Sequence, residues 1–212
     1  MQPKIKTQEL TQSARPPVAV RALIALSNGT LYVECKLIAG FMFLLTFLIL
    51  LNVVTRYSGA SLYWVDESAV YSVVWLSFIG GSAMTRLRMD FAVELLTENI
   101  SGKHRKIAKI IAGLGVLGFA LALAWMCLIW FDPLGFWQAG FDAKALAAKS
   151  FNFIYTEKTQ TLNWPTWSMY LIIPIFSLTM VIHSAANLVE ELGWAEISRF
   201  PQLNLSNAES IN

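Results

Sequence analysis

The residues of this chain that could do chemistry are few and widely separated. Arg56 stands ten residues before Asp66 and eleven before Glu67, close enough for its guanidinium to approach either carboxylate. An ion pair at a low-dielectric boundary would fix the relative heights of two helices; it would not by itself transform a substrate. The histidines are His104, in a basic connection, and His183, inside an apolar run. They make a poor axial pair for haem and belong to no cluster with metal-ligand spacing, so His183 is expected to hydrogen-bond between helices. Cys35 and Cys127 show no redox or ligand spacing and read as small apolar fillers. The run Gly113-Leu114-Gly115-Val116-Leu117-Gly118 spells a dinucleotide fingerprint, but it lies within a long apolar helix and no strand precedes it. Gly118 with Ala122, and Ser77 with Gly81, are expected to let helices approach closely. No catalytic constellation forms, so the chain reads as a non-enzyme with no cofactor.

The elements that must position these residues follow from composition. Hydrophobic residues make up 56% of the 212 and charged residues 14%, against roughly a quarter charged in a soluble domain. A membrane-spanning helix needs about 20 mostly apolar residues. Four windows qualify, at about 36–55, 64–84, 107–131 and 168–189. These runs are too long and continuous for the alternating strands of a membrane barrel. The expected fold is therefore an all-α membrane protein of four transmembrane helices. A tail covers 1–34, the membrane domain 35–189 and a second tail 190–212.

Orientation comes from the basic residues. The connection from Thr85-Arg86-Leu87-Arg88 to Lys103-His104-Arg105-Lys106-Ile107-Ala108-Lys109 holds six of the sixteen Lys and Arg. Placing it in the cytoplasm with both tails puts twelve Lys and Arg inside and four outside, so both termini are expected to be cytoplasmic. Orientation beside a lipid bilayer explains this charge more simply than contact with nucleic acid. Within the connection, Asp90 is suited to cap a short helix lying in the headgroup plane. Phe91 and Leu95 would form its apolar face, Glu94 and Glu98 its polar one. The third connection, Asp132–Pro165, is long for a bundle linker. It opens on Asp132-Pro133-Leu134-Gly135-Phe136-Trp137, contains a possible short helix in 141–153, and closes on tryptophans placed to anchor at an interface. Pro174 is placed to bend the last span.

The order of several motifs carries more than any one of them. Asn52-Val53-Val54-Thr55-Arg56-Tyr57 is followed by Trp64-Val65-Asp66-Glu67, then Trp75-Leu76-Ser77-Phe78-Ile79-Gly80-Gly81, then Arg86-Leu87-Arg88-Met89-Asp90-Phe91. This succession resembles the small membrane subunit of tripartite ATP-independent periplasmic (TRAP) transporters, mostly over Leu48–Leu96. The resemblance implies Arg56, Trp64, Glu67 and Asp90 as family-pattern residues for orientation and subunit packing. Met89 stands where many members have a histidine, so no histidine role carries over. The resemblance also implies two partners, a large membrane subunit carrying the transport domain and sodium sites, and a periplasmic solute-binding protein. The implied role is an accessory permease subunit of the bacterial inner membrane. It would hold the large subunit's scaffold during solute uptake, commonly of an organic acid. The alternative is a membrane-anchor subunit of a respiratory or other enzyme complex.

Overall fold

The apolar runs become long helices, the conformation in which a backbone satisfies its own polar groups without water. The computed structural model describes residues 16–89, 102–198 and 200. Its helices are α1 (Val18–Tyr57), α2 (Tyr63–Leu87), α3 (Lys103–Phe131), α4 (Pro133–Gln138), α5 (Ala143–Ser150), α6 (Thr166–Tyr170) and α7 (Ile172–Leu192). The only other regular pairing among the described residues is an isolated bridge between Lys158 and Pro165. Four helical stretches are long and apolar enough to cross a membrane: Val18–Tyr57, Tyr63–Leu87, His104–Gln138 and Thr166–Leu192. Asp90 and the expected headgroup-plane helix lie outside the described residues.

The first helix differs from expectation. It begins directly after Pro16-Pro17 and runs 40 residues, with no break at Lys36. Pro17 fixes φ just before the first turn, and between it and Lys36 Gly29 is the residue that disfavours helix most. The helix stops where Gly59 takes φ +74 and Ala60 N–H reaches back to the Thr55 carbonyl at 3.0 Å. The last span is also modified, being divided at Leu171 into α6 and α7. Pro174 accounts for the division. It has no N–H for the Tyr170 carbonyl four residues back, and its ring crowds that carbonyl. The neighbouring Met169 carbonyl accepts from the Trp75 indole N–H of α2 at 3.1 Å.

Helices α1, α2 and α7 pack against one another, while α3 docks on α7. The interior of the three-helix cluster mixes aliphatic residues such as Leu31, Val65, Ile79 and Ile172 with many small and polar ones, Ser27, Ser72, Ser82, Ala83, Ser177, His183, Ser184 and Ala186 among them. Ser82 Oγ donates across to Thr179 Oγ1 at 2.7 Å. The exterior carries the large apolar side chains, such as Phe43, Phe47, Trp125 and Ile129. Small and polar residues inside, with large apolar ones outside, suit helices whose association in lipid depends on close packing and hydrogen bonds.

The third connection is ordered by local chemistry. Asp132 adopts φ +39 at the end of α3, and its carboxylate accepts from Gly135 N–H to cap α4, with Pro133 at the first helical position. Asp142 caps α5 through Lys144 and Ala145 N–H, so the expected helix within 141–153 is Ala143–Ser150. Tyr155 stacks on Phe136, with centroids 4.2 Å apart, and donates its hydroxyl to the Phe131 carbonyl at 2.6 Å. Burial, followed by the nearby Asp132 charge, raises its pKa above the usual phenol value, so the hydroxyl stays a donor.

Candidate functional site

Three polar clusters tie the helices together, and each is built from residues that helical periodicity places on one face. At the end bearing the long third connection, Asn52 and Arg56, four apart on α1, face the start of α2. Arg56 Nη2 meets Asp66 Oδ2 at 2.9 Å, Arg56 Nε donates to Asn52 Oδ1 at 3.1 Å, and Asn52 Nδ2 donates to Asp66 Oδ1. Of the two carboxylates within reach, Asp66 therefore takes the arginine. Glu67, one residue on, points to a different side of α2 and takes other partners. Both partners of the Arg56–Asp66 pair are solvent-accessible, which limits its contribution to about 0–1 kcal/mol.

Glu67 is engaged elsewhere. Its carboxylate accepts from the backbone N–H groups of Gln160, Thr161 and Leu162 at 2.9, 2.8 and 2.9 Å, and from the Thr161 hydroxyl. Three successive amides aimed at one carboxylate form an anion nest. Glu67 thus holds the third connection onto α2. Glu67→Ala is expected to raise the amide exchange rates of residues 160–162 while leaving those of α1 unchanged; unchanged rates at 160–162 would remove this assignment. Trp64 lies alongside, half-exposed on a groove of about 470 Å³ that also includes Tyr71, Trp75 and Trp164.

The second cluster is buried between α1 and α7. His183 Nδ1 lies 2.8 Å from Ser27 Oγ, and Nε2 lies 3.0 Å from Glu34 Oε2. A neutral ring protonated on Nε2 satisfies both contacts, donating to the carboxylate and accepting the serine proton. Ser, His and Glu are the residue types of a nucleophilic triad. Ser27 and His183 are both fully buried, however, so no substrate carbonyl reaches the hydroxyl. What the arrangement does is clamp two helices.

The third cluster, near the C-terminal end of α7, is the most charged. Arg86 Nη2 contacts Glu190 Oε1 at 2.8 Å, and both side chains are 0% exposed. Arg86 also donates to Asn28, Asn187 and Ser198, and its guanidinium lies 5.5 Å from the centre of the Phe200 ring. Arg88 bridges Glu190 Oε2 at 3.0 Å and pairs with Glu191. The two arginines, read in sequence as loop cations, occupy the last turn and C-cap of α2 and are neutralised by α7. Among the described residues, no buried side-chain nitrogen or oxygen lacks a partner.

The structure brings together Arg56 and Asp66, sets Glu67 and Trp64 beside them, and places His183 far from that group. Gly118 is corrected as a site of close helix approach within the chain. A Cβ there would meet open space, because α3 turns that face away from α7. Gly113 is the glycine against a neighbour, with Leu188 Cδ1 3.5 Å from a Cβ position, and Gly81 faces Phe176 at 3.6 Å. Cys127 is buried and Cys35 half-buried, and both are free thiols. Sequence reasoning missed Ser27, Asn28, Glu34, Asn187 and Glu190 as partners. Their signal was a polar stripe at helical spacing: Ser27 and Glu34 are seven apart on α1, as are His183 and Glu190 on α7.

No curated protein and no solved structure matches the chain. A family profile does, over residues 45–193, which spans α2 to α7 and the second part of α1. Its description is "Tripartite ATP-independent periplasmic transporters, DctQ component". With well over half of its length covered, and with long apolar helices where the Arg-Tyr and Trp-acidic motifs fall, the chain belongs to the DctQ family of TRAP transporter small permease subunits.

Proposed function

We propose that this chain anchors and stabilises the scaffold of a large membrane subunit during sodium-driven solute uptake, with an organic acid as the solute class. It would sit in the bacterial inner membrane with both termini cytoplasmic. A periplasmic binding protein would deliver the solute to the large subunit. The observation that carries this reading is the self-satisfied interior. Every buried side-chain nitrogen and oxygen among the described residues has a partner within the chain, so these polar groups serve to hold the helices to one another. Apolar residues cover the outside of α1 and α3, as a subunit held between lipid and another membrane protein requires. A transport domain that moves needs a neighbour that stays fixed, and charge-locked helices suit that part.

Gentle detergent extraction of the tagged full chain, followed by partner identification, tests the proposal. The expected result is stoichiometric recovery of a large multi-span carrier. Recovery of a redox enzyme with bound haem would overturn it in favour of an enzyme anchor. Reconstituted solute flux by this chain alone would overturn it in favour of a self-sufficient carrier.

A further inference from the structure

We infer that the cleft where α2, α3 and α7 diverge at the basic end of the bundle is a binding site for an anionic phospholipid. Because α3 leans on α7, a gap opens between α2 and α3. It forms a cavity of about 270 Å³, just below the usual range for ligand pockets. Its walls have a direction. Arg88 of α2, Lys109 of α3 and Glu191 of α7 stand at one end, while Gly113 and Val116 lie one and two turns further along α3. A ligand that fills it needs a charged head and an apolar tail.

The sign of the head follows from the charges. Lys109 and Glu191 also line a second, adjoining cleft of about 510 Å³, which adds Arg105, Lys106 and Glu196. Glu190 and Glu191 are engaged by Arg86 and Arg88. Among the described residues, Lys106 and Lys109 of α3 at this mouth then face Glu196 as the remaining carboxylate of the lining. Lys109 has no ion-pair partner among the described residues. A cationic surplus beside a groove leading into the apolar part of the bundle selects a phosphate joined to an acyl chain. A free phosphate would use the cations and leave the groove empty. Gly113 keeps the groove open, since a Cβ there already reaches ordinary contact with Leu188 and a longer side chain must extend into the cleft.

The test uses the delipidated full chain in detergent, with native mass spectrometry counting retained lipid. Dioleoyl phosphatidylglycerol is expected to be retained over dioleoyl phosphatidylcholine. Lys106→Gln with Lys109→Gln, both at exposed positions, should reduce phosphatidylglycerol retention about fivefold per cation removed. Gly113→Leu should reduce it through the groove with the cations intact. Equal retention of the two lipids would overturn the assignment, as would unchanged phosphatidylglycerol retention in the lysine double variant. Displacement of the lipid by an equal concentration of inorganic phosphate would reassign the site to a free anion.

Discussion

Glu190→Ala is expected to destabilise the protein by about 3–5 kcal/mol, because it leaves Arg86 charged, buried and without its carboxylate. Arg86 and Glu190 have no solvent-exposed side-chain surface, so water does not replace the lost partner without opening the α2–α7 seam. Arg88 loses a partner in the same step, although Glu191 still holds it. The double variant Arg86→Met with Glu190→Leu is expected to recover most of the loss, since an apolar pair of similar volume avoids desolvating two charges. Thermal unfolding in detergent, followed by tryptophan fluorescence, measures all three proteins. A single variant as stable as the parent would show that the pair carries no strain-free ionic contact worth keeping. A double variant no better than the single would point to Asn28 and Asn187 as the dominant partners.

The second large effect is expected at His183. His183→Ala removes a fully buried ring and leaves both the Glu34 carboxylate and the Ser27 hydroxyl without their shared partner. A cavity and an unsatisfied buried carboxylate together should cost about 3 kcal/mol or more. Glu34→Gln should cost less, because the amide oxygen still accepts from Nε2–H. Amide exchange distinguishes this clamp from general loosening: the alanine variant should speed exchange around 27–34 before it affects 63–72 of α2. Uniform acceleration across α1 and α2 would argue against a clamp local to α1 and α7.

The number of long apolar helices was legible because hydropathy is a local property, read from runs of about 20 residues, whereas the early start of α1 at Val18 was not. The interior was not legible in the same way. Arg86 and Glu190 are 104 residues apart, and nothing local tells a loop cation that flanks a membrane from one buried against a distant carboxylate. The positive-inside argument counts Arg86 and Arg88 by position alone and does not reveal that Glu190 and Glu191 of α7 pair with them. Glu34, two residues before Lys36, carries no local sign of burial; its burial follows from sharing a helix face with Ser27 and Leu31. Family resemblance does not reach Ser27, Asn28 or Glu34, since the matched region begins at residue 45. The choice of Asp66 over Glu67 for Arg56 depended on helix phase at the start of α2, which sequence spacing leaves open.

The length of α1 has a geometric consequence for where the buried charges lie. Forty residues of helix extend about 60 Å, twice the roughly 30 Å hydrocarbon layer. Even a tilt of about 40° shortens the projection only to about 46 Å, so about four turns must stand clear of the acyl chains. With Tyr57 at one face of that layer, about 20 residues bring the helix to the other face near Lys36. Ser27, Asn28 and Glu34 then sit in the projecting stub, at or past the headgroups. The Ser27 end of the clamp and the Arg86–Glu190 pair would thus stiffen the helices at the level of the lipid headgroups, where water would otherwise separate them.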